Sequence, residues 1–231
     1  MMPGHGAPRF GTVIFDCDST LSAVEGIDEL AGPRRPEIAA LTAGAMRGEF
    51  PLEAVYGRRL AIIRPSRADI EVLARRYIAA AVTGAREVVA SFREAGVEVG
   101  IVSGGLRPAL LPLAAWLGIP EHRVAAVDLH FDARGDYAGY DDASPLAKSG
   151  GKRELLALWR PTLRPPVLFV GDGATDLEAR PEVDVFVAFM GVVQRPAIAA
   201  AADVVVATPS LLPLLDIVFA GDALAPGSPS S

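Results

Sequence analysis

The sequence predicts an α/β protein: a Rossmann-like, doubly wound parallel sheet core with an inserted helical cap. Three observations carry this. Short apolar, β-branched runs alternate with helical patterns along most of the 231 residues. The runs lack polar alternation, as strands do when helices cover both faces of a parallel sheet. The alternation then fails over 22–82, where helical segments follow one another without a convincing strand.

Taken in order, the first strand is TVIF, 12–15. The helical stretch comes next, with EGIDELA, PEIAALTAGAMRGEF, LEAVYGRRLAII and RADIEVLARRYIAAA. The sheet resumes with VEVGIVS (97–103), RVAAV (123–127), VLFV (167–170), VFVAF (185–189) and DVVVA (203–207). Helices are expected over roughly 85–95, 107–117, 151–160, 174–180, 195–201 and 209–220, with right-handed crossovers. Between 128 and 147, LHFDARGDYAGY reads as a β-hairpin turning at Arg134-Gly135-Asp136. The core is therefore 9–21 and 83–221, and the cap 22–82. The tails 1–8 and 222–231, rich in Gly, Pro, Ser and Ala, read as loose.

Composition removes several classes of function. Hydrophobic residues make up 51% and charged residues 22%, a globular balance. The net charge is −6, aromatics are 6% and no basic stripe occurs, which argues against nucleic acid as a partner. Cys17 is the only cysteine, so an intrachain disulfide is impossible, and a reducing compartment fits. MMPGHGAPRF lacks the apolar core of a signal peptide. The longest apolar stretches, PALLPLAAWLGIP and LLPLLDIVFA, fall short of the ~20 residues of a membrane span. The expectation is a soluble, cytoplasmic protein with no membrane partner; nothing in the sequence sets an oligomeric state.

The stretch FDCDSTL places Asp16 and Asp18 just beyond the first strand. Residues two apart in a strand share a face, so both carboxylates project to one side, at the sheet edge where open α/β folds bind ligands. Two like charges there need an offset, and a hard divalent cation with a phosphate-bearing substrate supplies one. A lone DxD would be read as a solvated turn. Here other strand ends add to it. VEVGIVSGG brings Ser103, Gly104 and Gly105, a hydroxyl and unhindered N–H groups that suit phosphate. VLFVGDGATD brings Asp172 and Asp176, and SGGKRELL brings Lys152. Cys17, between the two aspartates, should point to the opposite face and pack. His5, His122 and His130 lack metal-ligand spacing.

Together DCDST, SGG, the lysine of SGGK, and GDGATD resemble the four motifs of the haloacid dehalogenase superfamily, mostly Mg²⁺-dependent phosphatases on a Rossmann-like core. The resemblance spans roughly residues 10–220. The insertion after the first motif is similar to the cap of the phosphoserine phosphatase branch. VEGIDELA, AMRGEFPLEAVYGRRLAII, KSGGKRELL and GDGATDLEA resemble that branch in detail. One departure is Leu52, where the branch often has phenylalanine.

The resemblance implies Mg²⁺-dependent hydrolysis of a small phosphomonoester, phosphoserine, through an aspartyl-phosphate. In it Asp16 is the nucleophile and Asp18 the general acid and base. Lys152 offsets the phosphoryl charge, with Lys148 as a rival four residues earlier. Ser103, Gly104, Gly105 and Thr175 bind substrate, the first two at phosphate oxygens. For Gly105 a plain strand-to-helix turn is an equal reading. Asp16, Asp18 and Asp172 are the metal ligands, Asp18 through its backbone carbonyl, and Asp176 supports a water ligand or Lys152. Thr20 shapes the loop. Glu25 and Arg59 take the amino-acid end, a carboxylate for the ammonium and a guanidinium fork for the carboxylate. Met46 and Gly48 match the cap's methionine and glycine. Two alternatives stay open: the same hydrolysis on another small phosphomonoester, and transfer of the phosphoryl group to an acceptor alcohol.

Overall fold

The computed structural model describes residues 6–46 and 52–219, with backbone alone at 42–46 and 52. The main sheet holds six parallel strands: β1 (Thr12–Phe15), β2 (Glu98–Leu106), β3 (Val124–Val127), β6 (Val167–Gly171), β7 (Val185–Phe189) and β8 (Val204–Val206). Between β3 and β6, strands β4 (Leu129–Phe131) and β5 (Tyr137–Tyr140) form a separate antiparallel hairpin. The sheet order is β3-β2-β1-β6-β7-β8. The chain thus starts at the centre, winds outward to β3, returns beside β1 as β6, and winds outward again. The order reverses between β1 and β6, and the crevice beyond their carboxyl ends is where such sheets bind ligands.

Alternate strand residues serve opposite layers. Val13, Phe15, Leu168 and Val170 pack with Val88 and Phe92 of α5 (Ala85–Glu94), Leu110 and Leu113 of α6 (Arg107–Leu117), and Leu214 of α10 (Pro213–Phe219). Ile14, Val167 and Phe169 pack with Leu156 of α7 (Gly151–Trp159) and Ile198 of α9 (Pro196–Ala201). Burial on both faces explains why the strands read as unbroken apolar runs. Each such buried Val, Leu, Ile or Phe side chain contributes roughly 1.5–3 kcal/mol.

The 22–82 insertion is helical, as expected: α1 (Gly26–Ala31), α2 (Arg35–Met46), α3 (Leu52–Ile63) and α4 (Arg67–Ala79). α4 opens on a capping box, with Ser66 Oγ accepting from the Asp69 N–H at 3.2 Å and Asp69 Oδ2 accepting from the Ser66 N–H at 2.9 Å. It buries Ile70, Leu73 and Tyr77 in the same apolar cluster as α6. The hairpin turn also forms where expected. Asp132 Oδ1 accepts from the N–H groups of Arg134 at 2.8 Å and Asp136 at 2.9 Å, and Gly135 supplies a φ of +87°.

Three elements differ from expectation. β2 runs to Leu106 rather than 103, because its register with β3 shifts after Val102 and pairing resumes at Leu106↔Val127. The helix expected over 174–180 is α8 (Ala174–Leu177), followed by a single 3₁₀ turn with Pro181 in its first positions. The last helix starts at Pro213 instead of 209, because Leu211 N–H donates to the Thr83 carbonyl at 2.9 Å and holds that stretch against the core. Residues 1–5 and 222–231 of the expected tails and 220–221 of the expected core lie outside the described residues, as does Gly48. Met46 ends α2, and its side chain and that of Leu52 lie outside the description.

Candidate active site

The Asp16 N–H donates to the Val170 carbonyl at 2.8 Å, which carries the β1–β6 ladder one residue further and sets Asp16 in the crevice. The chain then turns on the Cys17 carbonyl, which accepts from Leu21 at 2.9 Å and Ser22 at 3.1 Å. Beyond β6, Asp176 Oδ2 accepts from the N–H groups of Asp172 at 3.0 Å and Gly173 at 2.9 Å, tying the loop to the start of α8. Gly171 is required there: a Cβ on it would lie 2.3 Å from Asp176 Cγ. Gly151 is required for a similar reason. Its Cβ would come within 1.7 Å of the Pro145 carbonyl, so only glycine lets the start of α7 dock and deliver Lys152.

Lys152 Nζ lies 2.8 Å from Asp16 Oδ1 and 2.5 Å from Asp176 Oδ1, and all three residues are buried. Burial alone would lower the lysine's pKa; the two carboxylates outweigh it and raise the pKa instead. Lys148 is exposed at the cavity edge and is the weaker candidate. Asp18 faces other partners. The Tyr77 hydroxyl donates to its Oδ1 at 2.6 Å and the Gly26 N–H to its Oδ2 at 2.8 Å. Burial, then the charge of Asp16, pushes its pKa up to about 7 against those two hydrogen bonds. A carboxyl poised near neutrality suits a group that gives and retakes a proton.

Asp172 is raised to about 7 by burial and by the charges of Asp16 and Asp176. Thr20 Oγ1 donates to its Oδ1 at 3.2 Å, so Thr20 does bind across the loop. Arg195 Nη1 contacts Asp172 Oδ2, and Arg195 Nη2 lies 3.9 Å from Glu25 Oε1. Burial raises Asp176 as well, with Lys152 opposing.

Carboxylate oxygens of Asp16, Asp172 and Asp176 all lie within 4.8 Å of one another. Asp16 Oδ1 is buried and accepts no well-directed hydrogen bond, despite its close ion pair with Lys152. Three buried carboxylates with an incompletely satisfied oxygen fit a hard divalent cation. The sequence reading assigns the metal to Asp16, Asp172 and the Asp18 carbonyl, with Asp176 supporting a water ligand or Lys152. The Asp18 carboxylate is engaged by Tyr77 and Gly26, which leaves its backbone carbonyl for ligation, while Asp176 contributes an oxygen to the cluster.

Asp16, Asp18 and Lys152 line a cavity of about 290 Å³. Ser103, Gly104 and Gly105 line it from β2, Thr175 from α8, and Glu25 and Arg59 from the insertion. Ser103 Oγ accepts from the Gly105 N–H at 3.1 Å, which leaves the hydroxyl hydrogen free to donate into the cavity. Gly105 itself serves close approach: a Cβ would lie 3.1 Å from Leu110 Cδ1 and 3.4 Å from Asp18 Oδ1. Arg59 Nη2 pairs with Asp28 Oδ1 at 2.5 Å, and its Nε is buried with no partner. Ser19 Oγ donates to Glu25 Oε1 at 2.7 Å. Cys17 is fully buried in the apolar cluster, and burial pushes its thiol pKa up, so it packs rather than reacts.

Besides Tyr56, which lines the cavity, two residues at the site escape sequence reading. Tyr77 sits inside a helix whose apolar pattern marks it as core, and half of its role is core packing. Arg195 belongs to no motif; the available signal was its place beyond the carboxyl end of β7, at the same sheet edge.

Residues 13–179 match the family model of haloacid dehalogenase-like hydrolases. The chain is 40% identical over 186 residues to the phosphoserine phosphatase of Bos taurus, covering 79% of this chain and 83% of that one. It is 38% identical over 197 residues to the chloroplastic phosphoserine phosphatase of Arabidopsis thaliana, covering 83% and 66%. Among solved structures, a phosphoserine phosphohydrolase-like protein from Francisella tularensis superposes with a TM-score of 0.74 at 26% identity, covering 85% of this chain and 95% of that one.

Proposed function

The chain belongs to the haloacid dehalogenase-like hydrolase family, and we propose that within it the protein hydrolyses O-phospho-L-serine to L-serine and phosphate. One observation carries the reading. A single cavity is lined both by Asp16 and Lys152, which form a buried ion pair backed by Asp176, and by the guanidinium-bearing Arg59 of the insertion. The Asp16–Lys152 pair suits a phosphoryl group, and Arg59 suits a carboxylate.

The steps follow from the residues. An Asp16 carboxylate oxygen attacks phosphorus, and the bond from phosphorus to the serine oxygen breaks. Protonated Asp18 gives its proton to that departing oxygen, which is the work a pKa of about 7 allows. Asp18, now ionised, takes a proton from water; the water oxygen attacks phosphorus and the Asp16 ester bond breaks, releasing phosphate. Lys152 balances the charge on Asp16 and the phosphoryl oxygens throughout. Ser103 Oγ–H and the Gly104 N–H hold phosphoryl oxygens. Asp16, Asp172 and Asp176, with the Asp18 carbonyl, are the residues that would hold Mg²⁺, which when bound neutralises phosphoryl charge as a Lewis acid. Arg59 binds the substrate carboxylate, and Glu25 binds its ammonium.

The same reading places the enzyme in the cytoplasm and in the synthesis of serine. No helix among the described residues is long and apolar enough to cross a membrane. The test is phosphate release with Mg²⁺ from L-phosphoserine, phosphothreonine and sugar phosphates. L-phosphoserine should lead in kcat/KM by more than tenfold; a sugar phosphate in first place would overturn the substrate while leaving the core chemistry standing.

A further inference from the structure

Tyr56 lies three residues before Arg59 on α3 and lines the same cavity. Its hydroxyl donates to the Gly104 carbonyl at 3.0 Å, crossing from the insertion to the end of β2. That carbonyl belongs to the peptide unit whose N–H, on Gly105, donates to Ser103 Oγ at 3.1 Å. Tyr56, one peptide group and Ser103 therefore form a continuous hydrogen-bonded chain. Each donor polarises the next in such a chain, and each fixes the next in orientation. With its lone pair engaged by Gly105, the Ser103 hydroxyl has its hydrogen left to aim at a ligand.

The tyrosine is itself braced. Its ring leans on Tyr140 of β5, with centroids 5.4 Å apart and planes at 51°. Tyr140 is seated over Gly57, where a Cβ would meet its hydroxyl at 2.7 Å. The hairpin grips the same side of the insertion nearby: the Arg67 N–H donates to the Gly135 carbonyl at 2.8 Å, and the Arg64 Nη2 to the Tyr137 carbonyl at 3.2 Å.

We propose that Tyr56 is a positioning residue for phosphoryl binding. Held by Tyr140, it fixes the Gly104–Gly105 peptide and through it the Ser103 hydroxyl. This rests on the phosphomonoesterase reading of the site, but not on phosphoserine as the ester. Tyr56 acts at the phosphoryl end, so its effect is the same for every ester, unlike that of Arg59.

The experiment is a double-mutant cycle read by calorimetric titration of inorganic phosphate into the Mg²⁺-loaded protein, which needs no turnover. Tyr56→Phe keeps the ring and removes only the hydroxyl. Its phosphate Kd should rise about three- to tenfold, the size of one lost hydrogen bond. Adding Tyr56→Phe to Ser103→Ala should change Kd by less than twofold relative to Ser103→Ala alone. KM should rise by a common factor for all esters that the wild type hydrolyses. An unchanged Kd in Tyr56→Phe overturns the proposal. So does an equal loss in the Ser103→Ala background, which would mean that Tyr56 acts without Ser103. Tyr140→Leu supplies a variant at a residue that does not itself line the cavity, and it should reproduce part of the loss; wild-type affinity in it would overturn the brace.

Discussion

The two walls of the cavity are held in opposite ways. On the core side, Asp16 and Lys152 are buried and backed by the buried Asp172 and Asp176, and Asp176 has both oxygens engaged, by two N–H groups and a lysine. On the side of the insertion, Arg59 is tied to Asp28, whose side chain is 43% exposed, and Glu25 is 48% exposed. Charges in a dry, low-dielectric setting interact strongly and keep their geometry. Pairs open to water contribute about 0–1 kcal/mol. In the proposed function, Arg59 would exchange the half-exposed Asp28 for a substrate carboxylate, whereas the core cluster has no such freedom. On the proposed function, the chemistry belongs to the rigid wall and the choice of ester to the adjustable one.

That contrast can be broken from its strongest side first. Asp16→Asn should remove turnover of every ester, by at least ~10⁴-fold, because the nucleophile goes with the charge. Steady-state phosphate release measures this, and turnover within tenfold of wild type would end the covalent account. Lys152→Met should lower kcat by about 10²–10³-fold, again for all esters alike, since it removes charge stabilisation at the reacting group. A loss confined to phosphoserine would move Lys152 to the adjustable wall.

The smallest effect sharpens the comparison from outside it. Arg180 pairs with Asp203 on the surface of the core, away from the cavity, and Asp203 also accepts from the Phe186 N–H at 2.9 Å. The Arg180 hydrogen bond, against some burial, holds the Asp203 pKa below its usual range. A depressed carboxylate adds stability that is present above the unfolded value of about 3.9 and is lost as the pH falls through the lower folded value. Arg180→Ala should lower Tm slightly at pH 7, with the gap to wild type closing as the pH drops below about 4, and should leave kcat/KM unchanged. A kinetic defect would show that exposed core charges also reach the site.

The two walls also differ in how far the sequence reveals them. Asp16, Asp172 and Lys152 follow directly from strand ends and helix starts, because a strand fixes which residue emerges at the sheet edge. Gly171 and Gly151 mark close approaches that no side chain permits. Asp18 lines the cavity, but its carboxylate is drawn to Tyr77, which comes from 59 residues later. Tyr56 bonding to Gly104 and Arg195 bonding to Asp172 are likewise long-range meetings. No local pattern encodes them; they exist only once α3 and the loop before α9 have folded over the crevice. The end of β2 is hidden in the sequence because SGG reads as a break, whereas the strand continues past it through a register shift.

The division of labour between the walls is tested most directly by one comparison: kcat/KM for L-phosphoserine and for O-phosphoethanolamine, which lacks the carboxylate, in wild type and in Arg59→Gln. The account predicts that wild type favours phosphoserine by about 10²-fold, the scale of a charge-assisted contact. In Arg59→Gln that ratio should collapse toward one while the phosphoethanolamine rate holds. A wild-type ratio near one, or an equal slowing of both esters in the variant, would contradict it.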